Sequence, residues 1–120
     1  MPEEFTPSAI ACAFTVAWTS HDLTTAGAYV ADDVIFDGPL GHRDGKQAYM
    51  ESLNTLAQMV TGLKIVAAFG DATQALIMYE LITDQFGVLT CAKLFSIRDG
   101  KIQTDRLTFD SFPMRKSQGG

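Results

Sequence analysis

The sequence predicts an α+β fold, in which three N-terminal helices pack on one face of a curved antiparallel sheet. Three observations support this class. Apolar residues recur at helical spacing in the first half of the chain and alternate as in strands from residue 63 onwards. Hydrophobic residues make up 47% of the 120 residues, enough for the core of one domain. Helices followed by a run of strands are typical of α+β proteins.

The first helix is predicted to begin at Thr6 and Pro7 and to end at the loop Ser20–His21. A threonine hydroxyl is a good N-cap, and proline suits the first helical position because its missing N–H would have no partner there. One face of this helix should enter the core, through apolar residues at helical spacing. These residues are Ile10, Phe14, Ala17 and Trp18.

Two further helices are predicted before the main sheet. Asp22 can cap a second, short helix that reaches about Val30, where Ala31–Asp33 closes it. Asp44 can cap a third helix, and Gly62 ends it. The apolar face of the third helix consists of Tyr49, Leu53, Leu56 and Val60.

Alternating apolar residues predict one strand before the third helix and four after it. Glycine-rich turns separate the last four strands, and Asp99-Gly100 is a hairpin turn. The stretch Asp37–His42, rich in glycine and proline, is predicted to be a turn. The predicted strands are Val34–Phe36, Leu63–Phe69, Ala75–Ile82, Val88–Ile97 and Ile102–Phe109.

Composition and charge argue against several classes of function. A net charge of -5 and a pI near 4.7 give no electrostatic reason to bind nucleic acid or an anionic membrane. No apolar stretch approaches the ~20 residues of a membrane-spanning helix. The acidic start MPEEF is unlike a signal peptide, and Cys12 and Cys91 are isolated thiols, so a cytoplasmic protein is expected. One domain is predicted over residues 1–120, with a flexible tail at 113–120.

The strand Val88–Ile97 carries the first sign of a functional site. Every second residue from Leu89 onwards is apolar except Lys93, in the middle, so this lysine is predicted to point into the core. A buried charge needs a partner or a wet cavity. The register of the hairpin with strand Ile102–Phe109 therefore decides what Lys93 contacts.

Two hairpin registers are compatible with the sequence Arg98–Lys101. A two-residue loop places Lys93 opposite Arg106, whereas a three-residue loop places it opposite Asp105. Opposite charges across a strand pair are favourable and like charges are not, so the three-residue loop is predicted. The same register matches apolar residues further along, Cys91 with Leu107 and Leu89 with Phe109.

Two alternatives stay open for each candidate charged group. Lys93 and Asp105 form either a structural ion pair, in a core or beside a subunit interface, or the polar groups of a pocket. Asp37 is either the turn residue that commonly precedes Gly-Pro, or a carboxylate at the mouth of an apolar pocket that acts as a base.

Two stretches of sequence carry a family resemblance. They are AWTSHDLTTAGAYVADDVIFDGPLG, Ala17–Gly41, and LFSIRDGKI, Leu94–Ile102. Their order and spacing resemble the nuclear transport factor 2-like superfamily, and within it the SnoaL-like and ketosteroid-isomerase-like groups. The resemblance spans roughly residues 8–112 and implies a cone, with a curved sheet and helices around a deep apolar pocket.

The resemblance also implies roles for particular residues. In ketosteroid-isomerase-like members the general base is an aspartate just after the first strand, and Asp37, with one residue inserted before Pro39, matches that place. The oxyanion-donor positions match Phe14 and Lys93. Phenylalanine cannot donate a hydrogen bond, whereas a lysine can, and its charge can stabilise an enolate. Arg106 matches an arginine of limonene-epoxide-hydrolase-like members, but no aspartate follows it, so that activity is not expected.

The sequence therefore predicts a cofactor-independent enzyme that moves a proton on an apolar carbonyl or polyketide-like substrate, as an isomerase, cyclase or lyase. Asp37 would move the proton, while Lys93 and Asp105 would stabilise or orient the oxyanion. No cofactor or metal is expected, because the histidines and cysteines have no ligand spacing. The alternative is a non-catalytic ligand-binding or dimerisation module, and a homodimer is expected in either case. The residues expected to contact a small apolar ligand are Phe14, Trp18, Tyr29, Cys91, Phe95, Leu107 and Phe109.

Overall fold

The computed structural model describes residues 6–39 and 41–109, which form helices packed on a curved, open, six-stranded sheet. The helices are α1 (Pro7–Thr19), α2 (Leu23–Ala28) and α3 (Lys46–Ala57). The strands are β1 (Val30–Gly38), β2 (Gly41–Asp44), β3 (Val60–Gly70), β4 (Gln74–Thr83), β5 (Gly87–Arg98) and β6 (Lys101–Phe109). Their spatial order is β2-β1-β6-β5-β4-β3, so the α+β class is confirmed. The predicted tail, 113–120, lies outside the described residues.

Helix α1 begins as the sequence predicts. The Thr6 side chain accepts a hydrogen bond of 3.3 Å from the Ala9 N–H, and Pro7 occupies the first helical position. The apolar face lies against the sheet, and its aromatic residues, Phe14 and Trp18, are completely buried. Within the described residues, no helix has the length and apolarity to cross a membrane.

Helix α2 is shorter than predicted. The Asp22 carboxylate caps it by accepting from the Thr25 N–H at 3.1 Å, and this bonding lowers the pKa of Asp22. The helix ends at Ala28, and Ala31–Asp33 belongs to β1 instead of closing the helix. The Ile102 N–H of β6 donates to the Tyr29 carbonyl at 2.7 Å. Pairing with β6, which is distant in sequence, thus extends β1 back to Val30, next to the helix. The local sequence does not reveal this pairing.

Strand β2 was not predicted, and it changes the start of α3. Gly41–Asp44 pairs with the second half of β1, so Asp44 ends a strand and does not cap the helix. The N-cap is Gly45, whose φ of 94° favours glycine, and whose N–H donates to the Val34 carbonyl at 2.8 Å. The predicted turn at Asp37–His42 is therefore the tip of a short hairpin.

The sheet is mixed. The four later strands, β3 to β6, form the antiparallel meander that the sequence predicts. Strand β1 joins the free edge of β6 in parallel, with Phe36 beside Asp105 and Asp37 beside Arg106. Neighbouring residues of a strand point to opposite faces, so this pairing determines which of the four side chains enter the core.

The predicted three-residue loop between β5 and β6 is wrong. The loop is Asp99-Gly100, with φ of 56° and 75°, which matches the two-residue turn that follows strand twist. The ladder then shifts at a bulge, which leaves Gln103 unpaired and places Phe95 opposite Asp105. Neither predicted register allowed for a bulge at Gln103. Lys93 consequently lies opposite Leu107, and Asp105 is its diagonal neighbour on the same face.

Candidate functional site

Lys93 and Asp105 form an ion pair in the interior, on adjacent strands. The Lys93 Nζ lies 2.8 Å from the Asp105 Oδ2, and the side chains are 2% and 0% exposed. The predicted inward orientation of Lys93, and its pairing with Asp105, are confirmed. A diagonal separation across the strands is within reach of a long side chain, so the pair forms despite the unexpected register.

Tyr49 of α3 completes the pair. Its hydroxyl donates a hydrogen bond to the same Oδ2 atom of Asp105, and the residue is completely buried. Burial, and then the neighbouring Asp105 charge, raise the pKa of Tyr49 well above its usual value, so the hydroxyl stays protonated. The sequence placed Tyr49 on an apolar helix face without identifying its partner. The sequence did offer one indication, since the hydroxyl of a buried tyrosine needs a hydrogen-bond partner.

Four aromatic rings surround the ammonium group of Lys93. Their centroids lie between 5.5 and 5.9 Å from Nζ, within the range of cation–π attraction. The rings belong to Phe14, Trp18, Phe36 and Phe95. We call these four residues, with Lys93, Asp105 and Tyr49, the inner cluster.

Two buried polar atoms of the inner cluster lack a hydrogen-bond partner among the residues that the structure describes. They are the Asp105 Oδ1, an acceptor, and the Trp18 Nε1, whose N–H is a donor. Leaving such a group unpaired in the interior costs about 1–3 kcal/mol. The other carboxylate oxygen of Asp105 is fully engaged by Lys93 and Tyr49, so its two oxygens differ in what they can still bind.

A small cavity of about 40 Å³ opens beside Lys93. This volume has room for about three water molecules or a small organic group. Of the residues predicted to contact a ligand, Cys91, Leu107 and Phe109 line it. The complete lining is Lys93, Tyr79, Cys91, Phe36, Leu53, Leu56, Leu81, Leu89, Leu107 and Phe109.

The remaining predicted contact residues lie elsewhere. Phe14, Trp18 and Phe95 surround Lys93 behind the cavity lining. Tyr29 ends α2 and does not line the cavity either. The helical and strand periodicities identified inward-facing residues correctly but did not distinguish cavity lining from solid core.

Tyr79 and Cys91 add a neutral hydroxyl and a neutral thiol to the cavity. The two residues are opposite each other in the β4–β5 ladder. Burial raises the pKa of Cys91 to about 11, and burial raises the pKa of Tyr79 well above its usual value. A thiol with such a pKa is a poor nucleophile at neutral pH. Tyr79 was missed in the sequence, although it alternates with the apolar residues Ile77 and Leu81.

Asp37 does not reach the cavity. Its side chain is 61% exposed, and its Oδ1 lies 2.6 Å from the Nδ1 of His42, which is 54% exposed. Phe36 takes the inward position beside Asp105, so the next residue, Asp37, points outward beside Arg106. The structure thus places Asp37 at the tip of the β1–β2 hairpin, as the turn alternative describes. Arg106, beside Asp37, is likewise exposed.

Comparison with known proteins identifies the family. Residues 12–104 match the SnoaL-like domain, so the chain belongs to the SnoaL-like family. A crystal structure of a Kribbella flavida DSM 17836 protein, 30% identical, superimposes with a TM-score of 0.91 over 98% of this chain and 96% of that one. None of the curated proteins matches the chain.

More distant structures share the fold. An NTF2-like protein of unknown function from Cytophaga hutchinsonii ATCC 33406 is 21% identical, with a TM-score of 0.78 over 95% of this chain and 98% of that one. An LEH-like epoxide hydrolase from M. tuberculosis is 23% identical, with a TM-score of 0.77 over 96% and 90% of the two chains. The fold family includes isomerases and epoxide hydrolases. At such identities these structures are similar in fold, which does not fix an activity.

Within residues 6–39 and 41–109, no three side chains of histidine, cysteine, aspartate or glutamate lie close enough together to hold a metal ion. The Lys93 ammonium, the Tyr79 phenol and the Cys91 thiol line the cavity, and the Asp105 carboxylate and the Tyr49 phenol, which contact Lys93 or each other, do not line it. Such a set is suited to donating, accepting and moving protons.

Proposed function

We propose that this protein is an enzyme that moves a proton on a small, apolar carbonyl compound bound in the inner cavity, without a cofactor. Its reaction would be an isomerisation, a cyclisation or a lyase reaction. The observation that carries the proposal is the buried Lys93–Asp105 pair, whose lysine lines a mostly apolar cavity. A charged pair in such surroundings is costly to bury, and groups of this kind cluster at active sites.

Lys93 is the group proposed to hold the substrate oxygen. Its ammonium has three N–H donors, one of which is directed to Asp105. A carbonyl oxygen in the cavity would accept from a second donor. As negative charge develops on that oxygen, the fixed cation stabilises it more strongly than water would, because the surroundings are apolar.

Asp105 is proposed as the proton acceptor in place of Asp37. Its Oδ1 atom has no partner among the described residues, whereas Oδ2 is held by Tyr49 and Lys93. The C–H bond next to the carbonyl breaks, its proton joins Oδ1, and its electron pair passes to the carbonyl oxygen as an enolate. Returning the proton to another carbon completes an isomerisation.

Exchange of a carbonyl compound's α-hydrogens for deuterium tests this proposal directly. The protein would be incubated in D₂O with 3-methyl-2-butanone, and loss of the α-proton signals followed by NMR. We expect exchange faster than in buffer with wild type and Asp37→Asn, the matched control, and at least ~100-fold slower exchange with Asp105→Asn, as is usual for loss of a general base. Exchange that depends on Asp37 and not on Asp105 would refute this assignment.

A non-catalytic ligand-binding module is the second candidate. The observation that favours it is that Lys93 and Asp105 already satisfy each other and leave a cavity of only about 40 Å³. A larger ligand would have to displace partly buried side chains such as Phe36, Leu56 and Phe109. Ligand binding without any deuterium exchange would support this candidate.

We also propose that two copies of the chain pair through the outer face of the sheet. This face exposes an apolar strip across β4 and β5, of a kind that marks interaction surfaces. The strip consists of Leu76, Met78, Ile82, Val88 and Leu94. Beside it Lys64 and Glu80 are paired across β3 and β4, and a twofold axis midway between them would place Lys64 of each copy beside Glu80 of the other.

Sedimentation equilibrium tests the dimer. The wild-type chain should sediment at twice its 13.0 kDa mass. Met78→Glu should weaken the association at least tenfold, since it buries a charge in the interface. Asn54→Glu, on the exposed side of α3, is the matched control and should leave the association unchanged. A wild-type monomer at high concentration would refute the dimer.

A further inference from the structure

We propose that Phe36 determines the size of ligand that the cavity accepts, and that Gly38 positions its ring. This inference deepens the proposed function, because it names the ligands as small aliphatic carbonyl compounds and excludes aromatic ones. It rests on the proposed function only for the location of the ligand, and not for the transfer of a proton.

The first argument is the location of the Phe36 ring. The ring lines the cavity, and its centroid lies 5.9 Å from the Lys93 Nζ and 5.6 Å from the centroid of the Tyr49 ring. In the β1–β6 ladder Phe36 is the neighbour of Asp105. Of the rings in the inner cluster, all of which lie in the described part of the chain, only that of Phe36 lines the cavity. This ring therefore bounds the cavity on the side of the Lys93–Asp105 pair.

The second argument is the size of the cavity. At about 40 Å³ it has room for a small aliphatic group, whereas a phenyl ring would have to take the place of a lining side chain. The apolar lining side chains that are only partly buried are the ones that can give way, namely Phe36, Leu56, Leu107 and Phe109. Among these four only Phe36 belongs to the inner cluster, so its size limits the ligand where the ligand approaches Lys93.

The third argument is the close approach of Phe36 to Gly38. The two residues are next but one along β1 and so face the same side of the sheet. A Cβ atom at residue 38 would lie 2.9 Å from the Phe36 Cζ, too close for two carbon atoms, but 3.5 Å from the Leu107 Cβ, an ordinary contact. Gly38 has no positive φ, so its backbone conformation would accept alanine. The missing side chain of Gly38 thus leaves the space in which the Phe36 ring lies.

A ring displaced from this space would enter the cavity. Tyr49 and Lys93 already contact the ring from within the inner cluster, and the free volume beside it is the cavity. Close-packed interiors yield at voids, and movement into water would cost the ring its apolar contacts. Gly38→Ala should therefore reduce the space that remains for a ligand.

Two methyl ketones of different size test the role of Phe36. The probes are 3-methyl-2-butanone and acetophenone, with an isopropyl and a phenyl group, and protein-observed NMR gives their dissociation constants. Wild type should prefer 3-methyl-2-butanone, although acetophenone is the more apolar compound. Phe36→Ala should shift the ratio of the two affinities toward acetophenone by about tenfold or more, because the phenyl group fills the vacated volume. A wild-type preference for acetophenone would overturn the size limit.

A ratio of affinities separates a size limit from structural damage, since damage weakens the binding of both ketones alike. Phe36→Leu should shift the ratio in the same direction to a smaller extent, and it replaces Phe36→Ala if that variant does not fold. Phe109→Ala is the matched control, because it removes the other phenylalanine of the cavity lining, which is outside the inner cluster. An equal shift in Phe36→Ala and Phe109→Ala, or none in either, would overturn the assignment to Phe36.

A double-mutant cycle tests Gly38 as the positioning residue. Gly38→Ala should weaken the binding of 3-methyl-2-butanone by about fivefold in the wild-type background and have no effect in the Phe36→Ala background, where the ring is missing. The loss should persist in the Phe109→Ala background. Circular dichroism verifies the folding of each variant. An equal loss with and without the Phe36 ring would overturn this role of Gly38.

The two proposals fail in distinguishable ways. A ketone selectivity that depends on Phe36, without deuterium exchange, would support the size limit and refute proton transfer. Exchange by wild type, with a selectivity that both Phe36 variants leave unchanged, would refute the size limit and support proton transfer. If 3-methyl-2-butanone shifts no resonance of a cavity residue at about 50 mM, far above the dissociation constant of about 1 mM that is typical of ligands this small, both proposals are refuted.

Discussion

Two acid–base pairs of similar geometry lie on opposite faces of one sheet. Inside, Lys93 and Asp105 approach to 2.8 Å with almost no exposure; outside, Asp37 and His42 approach to 2.6 Å with more than half of each side chain exposed. The two carboxylates lie on the adjacent strands β1 and β6, where Asp37 pairs with Arg106, the residue that follows Asp105. Distance alone therefore does not distinguish a functional pair from a surface contact.

The difference between the pairs lies in what surrounds them. The inner pair has a phenol, four aromatic rings and a cavity as neighbours, whereas water screens the outer pair. Electrostatic interactions are several times stronger in an apolar interior than in water. Substitutions in the two regions should therefore differ in effect, from several kcal/mol down to a fraction of one.

The largest effect is expected from Lys93→Met, which leaves the Asp105 carboxylate buried without its cation. We expect the free energy of unfolding to fall by about 3–5 kcal/mol. The double variant Lys93→Met/Asp105→Leu should recover most of this loss, because it removes the orphaned charge as well. Urea unfolding measures the free energy of unfolding of the single and the double variant. If the single variant loses less than about 1 kcal/mol, the inner pair is no more important for stability than a surface pair.

Tyr49→Phe should have the next largest effect. It removes the hydroxyl that donates to Asp105 and keeps the ring, which stacks with Phe14 at 6.1 Å between centroids. A hydrogen bond to a charged group is worth about 1.5–3 kcal/mol, and thermal or urea unfolding should show a loss of that size. Tyr29→Phe, at a partly buried tyrosine outside the inner cluster, is the control. Equal losses in the two variants would contradict a special role for Tyr49.

High pH should destabilise the inner region through Cys91. Its pKa is about 11 in the folded protein against an ordinary value of 9.0. Below pH 9 the thiol is neutral in both states; between pH 9 and 11 the unfolded chain loses its proton first, so stability falls as pH rises. The loss should be at most about 2 kcal/mol.

The comparison of two cysteine variants isolates this effect. Other groups titrate in the same range, so Cys91→Val is compared with wild type, and stability measured by urea unfolding from pH 8 to 11. The variant should lose less stability over this range. Cys12→Val is the control, because burial also raises the pKa of Cys12 but that residue is only partly buried. A Cys91→Val profile parallel to wild type would contradict the prediction.

The smallest effect is expected from Asp37→Asn. The outer pair is exposed, and such pairs contribute about 0–1 kcal/mol, less at high salt. Thermal unfolding at low and high salt should show a shift within this limit. A loss comparable to that of Tyr49→Phe would mean that the outer pair is stabilised by a contact that the exposed geometry does not reveal.

The fold and part of the site could be predicted because they depend on local patterns. Alternation along β5 showed that Lys93 points inward, and the helical spacing in α1 identified Phe14 and Trp18 as interior residues. Charge complementarity with Lys93 predicted that Asp105 lies on the inner face of β6. The first two inferences needed no strand pairing, and the third reached Asp105 although the register on which it rested was wrong.

Other features depended on pairing between distant parts of the chain. The bulge at Gln103 shifted the β5–β6 register, and the parallel pairing of β1 with β6 turned Asp37 outward. The α3 hydroxyl of Tyr49 meets Asp105 across 56 residues of sequence. A local pattern cannot encode such contacts, since many partners are compatible with one tyrosine or one turn aspartate.

The sequence by itself determined the α+β class, the identity of most strands and the presence of a lysine in an apolar interior. These follow from periodicity, because burying an apolar face dictates which residues share it. Only the tertiary structure decided the strand register that brings Lys93 to Asp105, which residues line the cavity and which polar atoms stay unpaired. Those outcomes depend on strand register, and a shift of one residue moves a side chain from one face of the sheet to the other.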